Sequence, residues 1–194
     1  MVKNVGLREL KKHRLRQTLE REALALFAEQ GYEATTVEQI AARSEISTTT
    51  FYRYYSSKED LVLSGALGYQ GLDFASPPPP GESLADSVRT LVAGLRAGGT
   101  ADPEERAGLL ARFQLIASVP ELRALHQQRT QESIQQLAQL FSRDARPSLR
   151  TRVAAALVGG AVAEALYYWV EQDGEPDLIG LVAEALEMIT PAIE

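Results

Sequence analysis

The sequence predicts an all-α protein of about nine helices and no sheet. Three observations carry this. Strand signals are nearly absent: the longest β-branched stretch, Ser47 to Thr50, lies among helical patterns and lacks period-two alternation. Apolar residues recur at spacings of three and four along most of the chain. Gly31, the run from Ser76 to Gly81, Gly98-Gly99, Pro120, Pro147, and Gly174 with Pro176 punctuate those periodic stretches.

The elements follow in order. From Leu15, the residues Leu19, Ala23, Leu26 and Phe27 mark a first helix, which Gly31 stops. Thr36 caps a short second helix with Val37, Ile40 and Ala41 on its inner face. Ser47 caps a third, whose inward residues are Phe51 and Tyr55. Ser57 opens a fourth over 57–75, with Glu59 and Asp60 where the helix dipole favours negative charge. The four prolines before Gly81 cannot continue a helix and read as a stiff spacer. Helical patterns then cover about 82–97, 103–117, 120–143, 148–172 and 176–190. No internal repeat is visible.

With 45% hydrophobic residues in 194, the chain can bury a sizeable core. It has no cysteine, which excludes disulfides, thiolate nucleophiles and Cys-ligated metals and fits a reducing cytoplasm. The opening stretch MVKNVGLRELKKHRLRQ is too charged for a signal peptide and has no apolar h-region. Val153 to Val170 is long and apolar enough to weigh as a membrane span, but Glu164 inside it would be costly in a bilayer. A buried soluble helix, with no membrane partner, is the expectation.

Net charge is −6, which alone argues against nucleic acid, but the charge is unevenly placed. Residues 1–60 hold ten Lys/Arg against nine Asp/Glu, whereas 61–194 hold ten against seventeen. Residues 1–21 carry seven basic groups (Lys3, Arg8, Lys11, Lys12, Arg14, Arg16, Arg21) and two acidic ones (Glu9, Glu20). A basic end on an acidic body is expected when one end alone meets phosphates. The division is therefore placed between 1–60, for DNA binding, and 61–194, for ligand binding and dimerisation.

Two short helices joined by a tight turn, the second exposing small polar residues, suit a DNA major groove. With Phe51 and Tyr55 inward, Thr48, Thr49, Tyr52 and Arg53 face outward. Threonine can bond a base edge or offer a methyl to thymine, and arginine can read guanine through two hydrogen bonds. The tyrosines and Lys58 suit phosphate oxygens, which fix position without reading sequence.

The segment LFAEQGYEATTVEQIAARSEISTTTFYRYYSSKEDL, residues 26–61, resembles the DNA-binding region of TetR-family regulators, with the similarity covering about residues 13–63. The resemblance implies a homodimer that binds a palindromic double-stranded operator, a helical C-terminal domain with a ligand pocket, and dimerisation through the last two helices. The DNA-contacting residues expected are Thr36, Ser47, Thr48, Thr49, Tyr52, Arg53, Tyr54 and Lys58. In two places the chain departs from the family pattern. Glu45 stands where the family usually has glycine in the turn, and glycine tolerates positive φ better. Thr49 stands where a small residue is common, adding a side chain toward the groove. The basic residues before Leu15 suggest an arm along the DNA backbone or into the minor groove, with a solvated tail as the alternative.

In the remainder, the small residues Gly159, Gly160 and Ala163, with Leu178, Leu181 and Ala185 of the last helix, are the expected dimer interface. Pocket candidates are Phe113, His126, Glu164, Tyr167 and Trp169, with Tyr69, Phe74 and Arg129 also weighed. Glu164 is included because a carboxylate in an apolar helix needs a partner. The apolar lining predicts a small, mainly hydrophobic effector.

An enzyme is not expected. The chain has no Walker loop and no strand-associated dinucleotide fingerprint, and its histidines are His13 and His126 alone. No nucleophile and base converge in sequence, and no cofactor or metal is called for. A helical adaptor or ligand-binding protein without sequence-specific DNA binding is the competing class. A steep loss of binding with salt separates the two.

Overall fold

The computed structural model describes residues 7–66, 81–97, 103–142 and 146–193. They form nine helices, α1 (Leu7–Gln30), α2 (Val37–Arg43), α3 (Thr48–Tyr52), α4 (Lys58–Ala66), α5 (Leu84–Ala97), α6 (Pro103–Ser118), α7 (Pro120–Leu140), α8 (Leu149–Glu171) and α9 (Leu178–Ile193). No strand occurs among the described residues. The proline run, Gly98-Gly99, Tyr69 and Phe74 lie outside them. The chain divides into two compact units, Met1–Ala66 and Leu67–Glu194.

In the first unit, α1 begins at Leu7 rather than Leu15. From Leu7 to Gln30 there is no glycine or proline, and Leu, Lys, Arg, Gln and Glu dominate, all good helix formers. Residues 7–14 are therefore a continuation of the helix and not an extended arm. Gly31, at φ +88°, ends it. The core comprises Leu19, Ala23, Leu26 and Phe27 of α1, Ile40 and Ala41 of α2, Phe51 of α3, Tyr32 and Tyr55. Each of these is under a tenth exposed. α1 packs on α2 and α4, and α2 packs on α3.

In the second unit, α8 packs against α7 and α9, α5 against α9, and α6 against α7 and α8. Pro120 sits in the first turn of α7, where its missing N–H costs nothing. Ser148 caps α8, accepting from the Thr151 N–H at 3.1 Å. The α8 C-terminus closes with the Asp173 N–H on the Val170 carbonyl and the Gly174 N–H on the Trp169 carbonyl. Asp173 and Gly174 both have positive φ there. A Cβ on Gly174 would lie 2.9 Å from Leu110 Cδ2, so the end of that side chain would have to shift, and the positive φ itself favours glycine.

By length and composition, α8 could cross a membrane. One side of it is taken up by the unit itself: Ala154, Ala155, Val158, Val162, Ala165, Leu166 and Trp169 are buried. α9 runs through Pro191 to Ile193, beyond the 190 expected from periodicity.

Candidate nucleic-acid interface

The α2–turn–α3 segment is held by capping at both helix starts. The Thr36 hydroxyl accepts from the Gln39 N–H at 3.3 Å, and the Gln39 side chain accepts from the Thr36 N–H at 2.9 Å. This reciprocal pair satisfies two donors that a helix start otherwise leaves open. Gln39 is not among the residues expected from sequence, although its Thr-x-x-Gln spacing is a readable signal. Gln30 of α1 donates to the Gln39 Oε1 at 2.9 Å and to the Thr35 hydroxyl at 3.1 Å, fastening the cap to the preceding helix. The Ser47 hydroxyl accepts from the Thr50 N–H at 3.1 Å and so starts α3.

The turn between them is a Schellman closure. The Ile46 N–H reaches the Ala41 carbonyl at 2.9 Å and the Glu45 N–H reaches Ala42 at 3.1 Å. Glu45 takes φ +57°, so this non-glycine residue adopts the left-handed conformation that the glycine usual at this point would supply more cheaply.

Behind α3, Phe51 is fully buried and Tyr55 nearly so. The Tyr55 hydroxyl donates to Glu20 of α1 at 2.8 Å. With those two rings inward, Thr36, Ser47, Thr49, Tyr52 and Arg53 are exposed, and Thr48 and Tyr54 are half-buried. Tyr52 keeps 55% of its surface exposed, which a large aromatic ring does not do in a core. The Arg53 guanidinium carbon lies 5.4 Å from the centre of the Tyr54 ring, a stacking contact that restricts where its donors point.

Lys58 behaves otherwise. Its ammonium donates to the Tyr32 carbonyl at 3.0 Å and the Thr35 carbonyl at 3.3 Å, and it sits 4.1 Å from the Tyr32 ring centre. In this structure it closes the turn between α1 and α2, leaving one of its three N–H donors for anything else. The Tyr32 hydroxyl in turn donates to Glu59 at 2.7 Å. Burial of Glu59 works against its ionisation, but hydrogen bonds from Ser57 and Tyr32, aided by the Lys58 charge, hold its carboxyl below the usual range.

Arg43, at the end of α2, is likewise absent from the residues expected from sequence. It donates to Glu29 at 2.7 Å and Glu22 at 3.1 Å, bridging α2 to α1. It holds the Glu29 carboxyl below its usual range, and Glu22 is lowered first by the Arg21 guanidinium at 2.8 Å and then by Arg43. Glu22 and Glu29, seven apart, share one face of α1, and that spacing is the available signal.

The pocket candidates separate. Phe113 of α6, His126 of α7 and Tyr167 of α8 come together. The Phe113 and His126 rings meet edge to face at 5.7 Å, and His126 Nδ1 is 3.3 Å from the Tyr167 hydroxyl. Burial, with Arg129 nearby, pushes the His126 pKa down; burial also pushes Tyr167 up. Trp169 is fully buried elsewhere on α8, and its Nε1–H donates to the Pro176 carbonyl at 3.0 Å.

Glu164 does not join the aromatic cluster. It is exposed on a groove of about 520 Å³ between α8 and α9 that also includes Tyr168, Leu181, Ala185 and Met188. Water reaches its carboxylate, so the desolvation that makes it a candidate is absent within one chain.

Among the dimer candidates, Gly159 is buried on the inner side of α8, whereas Gly160 is exposed with open space where a Cβ would stand. Ala163, Leu178, Leu181 and Ala185 are half-buried.

Among the described residues, no group of three metal-binding side chains occurs.

Known proteins agree with this layout. The family model for bacterial regulatory proteins of the tetR family matches residues 21–64, and that for the MftR C-terminal domain matches residues 82–194. The HTH-type transcriptional regulator TcmR of Streptomyces glaucescens is 35% identical over 143 residues, which is 71% of this chain and 63% of that protein. The HTH-type transcriptional repressor KstR of Rhodococcus jostii is 30% identical over 81 residues, 41% of this chain and 38% of that one. The chain thus spans less than two thirds of the length of these curated relatives.

Among solved structures, NalD, the secondary repressor of the MexAB-OprM multidrug efflux pump in Pseudomonas aeruginosa, has a TM-score of 0.57 at 20% identity, covering 91% of this chain and 96% of NalD. The TetR-family repressor FadR of Thermus thermophilus, solved with lauroyl-CoA, gives 0.51 at 20% identity, covering 90% and 92%. At those identities the likeness is one of fold. With a helix-turn-helix matched over 21–64 and more than half its length matched over 82–194, the chain belongs to the tetR family of bacterial regulatory proteins.

Proposed function

We propose that the protein is a cytoplasmic, ligand-responsive repressor that binds a palindromic DNA operator as a homodimer. One observation carries the reading: a short helix anchored from behind by buried Phe51 and Tyr55 presents Thr49, Tyr52 and Arg53 to solvent. These are groups suited to base edges and phosphates, and they would be wasted on an inert surface. Thr48, Thr49 and Arg53 read bases, whereas Thr36, Ser47, Tyr52 and Tyr54 meet the backbone. Lys58 serves the same surface from within, by holding the turn that presents Thr36.

The first sixty or so residues form the DNA-binding part and the rest senses ligand and dimerises. The exposed side of α8 and α9, with Gly160, Ala163, Leu178, Leu181 and Ala185 and the exposed Tyr168 and Met188, supports dimerisation by this face. Phe113, His126 and Tyr167 line the sensing region, and their three rings favour a small, largely hydrophobic effector. Effector binding shifts the population between conformers that do and do not match the half-site spacing.

Selection of bound duplexes from a random pool tests the reading. An enriched palindrome whose binding weakens steeply with salt is expected. Recovery of no preferred sequence overturns it.

A further inference from the structure

We propose that the first turns of α1 form a second phosphate-binding surface, which takes the DNA backbone flanking each half-site. The proposal rests on the operator-binding reading above and concerns residues preceding the tetR-family match, which begins at residue 21.

Lys11, Lys12, Arg14 and Arg16 are all exposed on one rigid helix, with no acidic residue between Leu10 and Leu19. Among the described residues, none of the four side chains takes part in an ion pair or hydrogen bond. The glutamates of α1 that face a neighbouring helix do the opposite: Glu20 meets Tyr55, and Glu22 and Glu29 meet Arg43. Within the first unit, four exposed and unpaired cations thus lie together in the first turns of α1.

The register of the helix gives them a direction. Leu19, Ala23 and Leu26 form the stripe that α1 buries against the unit. Counting back from Leu19 by three and by seven, the same stripe continues through Arg16 and Lys12. The apolar part of that stripe ends at half-buried Leu15, and the exposed cations Arg16 and Lys12 share its face about one and two turns before Glu20, where the C-terminal end of the recognition segment docks through Tyr55. From Glu20 to Lys12 the helix advances about 12 Å, enough to reach past the helix that enters the groove to the adjoining backbone. A chain of net charge −6 leaves few other places where a polyanion can approach.

The test compares wild type with a variant carrying Lys11→Gln, Lys12→Gln, Arg14→Gln and Arg16→Gln. Glutamine keeps helix propensity, and circular dichroism verifies that the helix is retained. Two probes are used: the duplex selected by the wild type, with long or trimmed flanks, and a long random-sequence duplex. The salt slope of the variant is expected to fall by about 0.9 for each phosphate that it no longer neutralises, hence by about 2 per chain for the two cations on the stripe. Trimming the flanks is expected to weaken the wild type and leave the variant unchanged. Equal slopes and equal flank dependence in the two proteins overturn the proposal while leaving operator binding intact. A wild type with no preferred duplex defeats the operator reading, and the random-sequence slopes then decide the α1 surface by themselves.

Discussion

At the scale of single residues, two side chains near the recognition segment do work that their type alone does not announce. Glu45 occupies a left-handed position at φ +57° within a Schellman closure. A β-carbon there costs about 1 kcal/mol, partly offset by the greater unfolded-state entropy of glycine. Glu45→Gly is therefore expected to raise stability by roughly 0.5 kcal/mol, seen as a higher urea midpoint at unchanged slope. A lower midpoint would mean that the carboxylate contributes more than the backbone strain removes. Lys58 reads from sequence as a phosphate contact because it is a cation beside the recognition segment. Its partners, the carbonyls of Tyr32 and Thr35, lie more than twenty positions earlier, and no local pattern reveals which carbonyls a turn leaves open. Lys58→Met should cost about 1–2 kcal/mol of stability, because it removes two hydrogen bonds and the cation over the Tyr32 ring. Any loss of DNA affinity should disappear when the comparison is made well below the melting temperature. An unchanged melting temperature with uniformly weaker DNA binding would return Lys58 to the phosphate role.

At the scale of elements, what periodicity and caps can express is legible in the sequence. Thr36, Ser47 and Ser57 start their helices, and the inward residues Ile40, Ala41, Phe51 and Tyr55 are buried. The start of α1 at Leu7 is invisible to periodicity because the apolar stripe ends at Leu15, whereas backbone propensity carries the helix onward. The two faces of α8 are inseparable by the same logic. On a helix apolar nearly all round, Gly159 and Gly160 carry equal signals, and only the packing of α7 and α9 shows which is covered. The cluster of Phe113, His126 and Tyr167 draws on three helices, so its members are legible as types and its assembly is not.

That cluster has a pH consequence. His126 is buried and its pKa lowered, so the unfolded chain binds its proton at higher pH than the folded one. Its contribution to stability is complete above the unfolded value of about 6.5 and is lost as pH falls below it. Glu22, Glu29, Glu59 and Asp86 are lowered carboxyls, whose contribution is lost only nearer pH 4 and below, around the ordinary carboxylate range. Stability should therefore decline between pH 7 and 5, and His126→Leu should flatten that limb of the profile. A decline of equal size in the variant would assign the acid sensitivity to other groups. On α3, Arg53→Ala is expected to cost about 1–3 kcal/mol of operator affinity and relax preference at one base position. Loss spread evenly over all positions would mark Arg53 as a backbone contact instead.

At the scale of the whole molecule, the proposed dimer ties the two parts of the chain together. Each unit of about sixty residues can offer one recognition helix, and a single short helix reads too few bases to find one site among many. Two copies related by a two-fold axis double the contacts and demand half-sites about 34–36 Å apart. If the exposed side of α8 and α9 supplies that axis, a charge placed there acts on DNA at a distance. Ala185 lines the groove beside Glu164 and Glu184, so Ala185→Glu sets a further carboxylate against two others and, across a two-fold axis, against the partner's. Sedimentation should show the variant as a monomer that retains its helical content. Its affinity for the selected palindrome should fall to that of an isolated half-site for the wild type. Inserting five base pairs at the centre of the palindrome should weaken wild type to the same level, because about half a helical turn carries one half-site to the opposite side of the duplex. The variant should be indifferent to that insertion. A variant that sediments as a dimer and stays sensitive to spacing would move the axis off this face of α8 and α9.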